Sequence, residues 1–288
     1  MAYLRRVYAV PADQEELVAA ELWEAGTVGL VTADEPDGRV RVEAWFAAGA
    51  GPAAAGADPL EHRLAGRVEV LAVEHVGEED WLAVYRERAR PFALGEGFWI
   101  DPREPEGEVT PSPGRRLLRL PARTAFGTGS HESTRLAVEL LEEVPPRGQR
   151  VLDVGTGTGV LSFVAERLGA VAVVALDVDA GAVVQARSNA RLNRASPRLF
   201  TGTIEALGPA VRFDLALLNI VPEIIVPELP DVAPLLGSGA AGGAMILSGI
   251  LAERGDEVLA AAGALGFGLR EARRAGEWVA FRVGREGA

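Results

Sequence analysis

Apolar and polar positions follow two rhythms along the chain. In the first, 3–10 alternates as a half-buried strand does, and Pro11-Ala-Asp13 offers a cap to a helix whose Leu17, Val18, Leu22 and Trp23 recur at helical spacing up to Gly26. Segments 27–33 and 39–46 read as strands joined at the turn Glu35-Pro-Asp-Gly38, hence a hairpin. A short helix near 58–64 and a strand over 67–75 complete the order βαββαβ, which predicts a small ferredoxin-like α+β domain. In the second rhythm, strands are apolar almost throughout, at 150–154, 171–176, 213–218 and 244–247, with a shorter one at 198–201. Helical patterns at 134–141, after Gly159, at 180–194 and at 253–265 separate them, which predicts a parallel sheet covered on both faces. Prolines in 223–236 predict a broken helix, and 268–275 with 278–283 a closing antiparallel hairpin around Ala275-Gly-Glu277.

Between the two regions, Gly77-Glu-Glu-Asp80 and the charged stretch 81–90 predict a helix that stops at Pro91. So polar a helix suits a bridge between domains rather than a core. Short strands at 95–101 and 116–120 flank a Pro/Gly/Glu-rich loop, 102–114, expected to be mobile. The expected organisation is a recognition domain over 1–76, a linker helix and connection over 77–101, and a larger α/β domain over 102–288.

Composition narrows the function classes. A length of 288 residues suits two domains at a soft prior of about 150 residues each. Hydrophobic content of 48% beside 24% charged residues is that of a soluble globular protein. No cysteine is present, so disulfides, thiolate metal sites and cysteine nucleophiles are excluded. The N-terminus lacks the apolar run of a signal peptide and no stretch is long enough for a membrane span, so a cytoplasmic location is expected. His62 and His75 have no carboxylate partner at metal-ligand spacing, and no metal site is expected. The net charge of −12 opposes stable nucleic-acid binding and favours a basic protein partner. All 29 basic residues are arginine, so the protein has no side-chain amine to use as a nucleophile.

The richest stretch is Val151-Leu-Asp-Val-Gly-Thr-Gly-Thr-Gly159, a buried-strand pattern running into a glycine turn and then a helix. In α/β proteins that arrangement holds nucleotide-like ligands at the carboxyl end of the strand. Its glycine spacing is not the Gly-x-Gly-x-x-Gly of dinucleotide sites, which weighs against a nicotinamide-dependent oxidoreductase. Asp153, Gly155 and Gly157 are expected to bind the ligand, an acid at this strand end suiting a cationic one, and Asp177 closes the next strand, where a carboxylate can hold ribose hydroxyls. Asp179 reads as a helix cap. Asn219 ends a third apolar strand and can orient an incoming amine, or form a turn before Pro222. In Ala125-Phe-Gly-Thr-Gly-Ser-His-Glu-Ser-Thr134, glycines make a tight turn, Ser130 is the expected cap, and His131 is a polar contact, a proton acceptor or a capping residue.

The glycine turn resembles the S-adenosyl-L-methionine loop of the seven-stranded (class I, Rossmann-like) methyltransferases. Nearly the whole chain resembles the PrmA family, which methylates protein eleven of the large ribosomal subunit. The shared motifs are Ala125-Phe-Gly-Thr-Gly129, the glycine loop, Asn219-Ile220, Leu247-Ser-Gly-Ile-Leu251 and Gly276-Glu-Trp-Val279. The resemblance implies cofactor contacts from Thr134, Gly155, Asp177 and Asn219, with Phe126 and Gly127 bordering the cofactor. It also implies an N-terminal domain that grips a ribosomal protein. One departure stands out: the family carries an acid, Pro and Gly ahead of the Ala-Phe-Gly turn, and this chain has Pro121-Ala-Arg-Thr124. A monomeric protein N-methyltransferase is expected, acting by in-line displacement through proximity and orientation, with Asn219 and His131 as the residues nearest the chemistry. Methylation of RNA or of a small molecule is the alternative.

Overall fold

The computed structural model describes residues 2–36, 38–47, 59–64, 66–77, 89–103, 110–121, 131–208, 210–237 and 243–286. The chain divides into two compact units, Met1–Ala89 and Arg90–Ala288. The expected bridging helix falls almost wholly outside the described residues, as do 104–109 of the expected loop and the turn containing Phe126 and Gly127.

The first unit contains β1 (Ala2–Pro11), α1 (Glu15–Glu24), β2 (Thr27–Asp34), β3 (Arg39–Ala47), α2 (Pro59–Leu64) and β4 (Glu69–Gly77). The strands form one antiparallel sheet in the order β2-β3-β1-β4. Alternation along β1 sends Leu4, Tyr8 and Val10 into a core with Val18 and Leu22 of α1 and Leu60 and Leu64 of α2. On β3, Glu43 is buried, and its carboxylate accepts from Arg5 at 2.8 Å and from Arg41 at 3.0 Å. Burying that charge is tolerable because guanidinium groups satisfy both oxygens.

The second unit is built on the strands β8 (Arg150–Val154), β9 (Ala172–Asp177), β10 (Arg198–Thr201), β11 (Leu215–Asn219), β12 (Ala244–Leu251), β13 (Phe267–Ala275) and β14 (Trp278–Arg285). Their order is β10-β9-β8-β11-β12-β14-β13, parallel through β12, with β14 antiparallel to both its neighbours. Helices α3 (Glu132–Glu143), α4 (Val160–Arg167), α5 (Ala180–Asn193), α6 (Pro222–Val232) and α7 (Gly255–Ala264) connect or precede the strands. Two apolar cores result, one holding Leu136, Leu140 and Phe163, the other Ile225, Leu229 and Val258.

Three expectations need correction. α6 is a continuous helix through Pro227 and Pro230, because Pro222 presets its first turn and buried Ile225, Leu229 and Val232 hold one face down. β12 runs on to Leu251, past the expected end at 247, with a register shift between Leu247 and Ile250. The strand expected over 95–101 is shorter, β6 (Phe98–Asp101), and is preceded by an unexpected strand, β5 (Phe92–Leu94); with β7 (Arg116–Arg119) they form a separate sheet. The turn between β5 and β6 is fixed from a distance. Glu142 of α3 accepts the N–H groups of Glu96 at 2.8 Å and Gly97 at 2.6 Å, and Gly95 has φ +56.

A row of amides on α5 joins this small sheet to the glycine loop. Asn193 accepts the Arg119 N–H at 2.8 Å and donates to its carbonyl at 2.7 Å, filling the place of a missing strand neighbour. One turn earlier, Asn189 donates to the Thr158 carbonyl at 3.1 Å, and Gln185 donates to the Pro121 carbonyl at 3.2 Å. Spacing by four puts all three on one buried face. The segment leading into 122–130 is thereby held against the loop.

Candidate functional site

The ends of β8, β9 and β11 bring Asp153, Asp177 and Asn219 to one edge of the sheet, the carboxyl edge where open α/β sheets bind ligands. The glycine loop turns over that edge with φ of +70 at Gly155, +53 at Gly157 and +87 at Gly159. A Cβ on Gly155 would lie 2.6 Å from Ile220 Cγ2, and one on Gly159 would lie 2.5 Å from Phe163 Cζ. Backbone conformation and space both demand glycine here.

The N–H groups of this loop are largely spent inside the protein. Gly155 and Thr156 donate to the Leu176 carbonyl at 2.9 and 3.0 Å, Gly157 to Asp177 Oδ2 at 2.9 Å, and Gly159 to the Thr156 carbonyl at 2.9 Å. A phosphate-binding loop needs such groups free and convergent. This loop suits a nucleoside ligand without phosphate, and not a dinucleotide.

Asp153 sits beneath the loop rather than at its surface. It is 1% exposed, and Oδ2 accepts from Thr156 Oγ1 at 2.7 Å and Ser162 Oγ at 2.6 Å. Ser162 lies in the first turn of α4, so its bond brings the carboxyl of Asp153 to the N-terminus of that helix. The structure thus makes Asp153 the brace of the loop. Burial raises its pKa, Asp177 nearby adds to the rise, and the hydrogen bonds oppose it. A carboxyl with a raised folded pKa binds more protons folded than unfolded, so its contribution to stability falls as pH rises upward from its ordinary 3.8. Asp153→Asn mimics the protonated form. The stability difference between the variant and wild type should therefore move in the variant's favour as pH is raised through that window, in urea unfolding at several pH values. A difference independent of pH would show that burial does not strain this carboxylate.

Asp177 is half-buried at the end of β9, with Oδ2 on Gly157 N–H and Oδ1 on Asp179 N–H at 3.0 Å. Each oxygen keeps a lone pair for a ligand hydroxyl. Asp179 is the cap of α5, accepting Gly181 N–H at 2.7 Å.

The first turn of α3 is fastened to three strands. Asn219 Nδ2 of β11 donates to buried Thr134 Oγ1 at 3.1 Å, and Ser248 Oγ of β12 donates to the Ser133 carbonyl at 2.7 Å. From β14, the Trp278 ring meets His131 edge-on, centroids 4.4 Å apart. Asn219 Oδ1 is enclosed and has no hydrogen-bond partner among the described residues. An unsatisfied buried acceptor beside the ligand edge awaits a donor, and an amine is one.

His131, not Ser130, caps α3. Its Nδ1 accepts the Ser133 N–H at 3.2 Å and lies 2.7 Å from Ser133 Oγ. Burial lowers its pKa, so the ring is neutral at neutral pH, as an accepting Nδ1 requires. Sequence reasoning passed over Ser248 and Trp278 as site residues. A lone serine inside the apolar run of β12 was the available signal for the first, and Trp278 stood in the motif Gly276-Glu-Trp-Val279 without a role assigned to it.

Among the described residues no cluster of His, Asp and Glu could hold a metal ion, and no helix is long and apolar enough to cross a membrane.

Residues 9–286 match the model of the family described as Ribosomal protein L11 methyltransferase (PrmA). A ribosomal protein L11 methyltransferase of Geobacter sulfurreducens is 41% identical over 213 residues, covering 74% of this chain and 68% of the relative. Its counterpart in Bacillus cereus is 36% identical over 216 residues, covering 73% and 67%. Among solved structures, the ribosomal protein L11 methylase of Lactobacillus delbrueckii subsp. bulgaricus superposes with a TM-score of 0.62 at 29% identity, covering 68% of this chain and 98% of that one.

Proposed function

The chain belongs to the ribosomal protein L11 methyltransferase (PrmA) family, and from that premise we propose that it transfers methyl groups from S-adenosylmethionine to amino groups, lysine side chains or the N-terminal amine, of protein L11 of the large ribosomal subunit. The observation that carries the reading to this chain's own atoms is the unpartnered Oδ1 of Asn219 at the carboxyl edge.

The donor fits the residues present. Asp177 would hold ribose hydroxyls, the backbone of Gly155 and Gly157 would admit the nucleoside closely, and Thr134 and Asn219 would border the reacting end. Asp153 would act from below by holding the loop. Phe126 and Gly127 complete the proposed contacts from residues outside those described. When bound, S-adenosylmethionine supplies an electrophilic methyl group on a sulfonium. Asn219 accepts a hydrogen from the incoming amine and aims its lone pair; the Thr134 bond fixes the amide plane. Neutral His131 keeps the first turn of α3, and hence Thr134, in place. Proximity and orientation are the main contributions, as expected where no covalent intermediate forms.

The first unit, with its strand order β2-β3-β1-β4 and two helices on one face, fits a ferredoxin-like recognition domain over 1–76. Residues 77–101 would link it to a seven-stranded class I methyltransferase domain over 102–288. The net charge of −12 supports a basic protein acceptor over nucleic acid. We take the working form to be a monomer in the cytoplasm.

Incubation with L11 and S-adenosylmethionine should raise the intact mass of L11 in steps of one methyl group. Transfer to ribosomal RNA with none to protein would overturn the reading.

A further inference from the structure

Glu277 shares a two-residue turn with Gly276, φ +54, between β13 and β14. Its backbone carbonyl accepts the Ala252 N–H at 2.7 Å, tying the turn to the residue after β12. Because β12 is parallel to β11 and β14 is antiparallel to β12, the start of β14 lies at the same sheet edge as the end of β11. Asn219 stands opposite Ser248, and Leu251 opposite Trp278. The first turn of α3 closes the circuit, Thr134 on Asn219 and His131 against Trp278. Contacts and register therefore run in a ring through Asn219, Thr134, His131, Trp278, Leu251 and Ser248, and Glu277 borders that ring. Its Oε2 is enclosed and, like Asn219 Oδ1, has no hydrogen-bond partner among the described residues. An unpaired carboxylate oxygen shut away from water is costly, and a cation arriving at this edge would relieve the cost.

We propose that Glu277 binds the ammonium group of the acceptor and presents it beside Asn219; this rests on the reading of the acceptor as a protein amine. An alkylammonium has three donors and no acceptor, which matches an edge bearing two unfilled acceptors, one of them charged. Capture is followed by loss of one proton to solvent. The neutral amine then gives its lone pair to the methyl carbon as the sulfur–carbon bond breaks, with that bond's electron pair left on sulfur. Positive charge thus moves from sulfur to nitrogen, and a carboxylate nearer the nitrogen favours that movement. The same carboxylate opposes the proton loss, so its benefit lies in capture and in the charge transfer.

Glu277→Gln keeps the shape of the turn and removes the charge. With L11 as acceptor, its KM should rise about tenfold or more while the affinity for S-adenosylmethionine stays at the wild-type value. Glu277→Asp should recover part of the loss. Binding of n-butylammonium, followed by NMR on the full chain, reads the site without any transfer: the wild type should bind it and Glu277→Gln should not. An unchanged acceptor KM, a loss of donor affinity matching the rise in KM, or butylammonium binding that is equal in both proteins or absent from the wild type overturns the proposal. A wild type that leaves L11 unmethylated instead removes the proposed function, and the butylammonium result still decides the role of Glu277.

Discussion

Alanine at Asn219 should slow methyl transfer by about 100-fold or more, while S-adenosylmethionine affinity changes by less than about threefold. The amide stands at the end of β11 with Nδ2 on Thr134 Oγ1 at 3.1 Å and Oδ1 enclosed and unpartnered among the described residues. Removing it leaves the amine free to rotate at the moment its lone pair must point at the methyl carbon. Misplacement of about 1 Å at such a step can cost a hundredfold. Donor contacts at Asp177 and the glycine loop are untouched, so binding should survive. Thr134→Val separates positioning from contact: it frees the amide plane but keeps Oδ1, and should cost less than Asn219→Ala. Single-turnover rates with calorimetric donor binding test both. Turnover that is unchanged, or that falls only in step with donor affinity, removes Asn219 from the transfer step.

Gly249→Ala should destabilise the second unit by roughly 3 kcal/mol and lower its melting temperature by about 10 °C. Gly249 has φ +82, and a Cβ there would lie 2.5 Å from the Ile220 carbonyl oxygen, 2.9 Å from its carbon and 3.0 Å from its nitrogen. All three atoms are backbone, so no side-chain rotation relieves the clash. β11 and β12 would have to separate where Asn219 faces Ser248 and where Ser248 Oγ holds α3. Activity should fall more than stability alone explains, because the Asn219–Thr134 contact lies at that point. Calorimetry showing a shift of less than about 2 °C would mean that the two strands tolerate the wider spacing.

Much of the site was legible because its residues end strands. An apolar run that stops at a polar residue predicts the sheet edge, and Asp153, Asp177 and Asn219 all lie there. Asp179 as a cap was equally legible, since capping is local chemistry. The task of Asp153 was not: a carboxylate at a strand end can face a ligand or the protein, and only Thr156 and Ser162 folding back over it decide. The cap of α3 stayed open between Ser130 and His131 for a similar reason, since both offer an acceptor, and the fold uses His131. The β5–β6 turn depended on Glu142, more than 40 residues away in sequence, and no local pattern could announce it.

By itself the sequence determined the kind of protein this is: two regions of different periodicity, a parallel sheet, a glycine turn without dinucleotide spacing, and acids and an amide at neighbouring strand ends. These are consequences of short-range rules, the period of burial and the few residues that allow positive φ. Tertiary structure decided which atoms are left to act. It committed the loop's N–H groups to Leu176 and Asp177, turned Asp153 inward, fastened α3 to three strands, and left Oδ1 of Asn219 and Oε2 of Glu277 enclosed without partners among the described residues. Whether a polar atom is satisfied depends on groups that folding brings from distant parts of the chain, and no local pattern contains them.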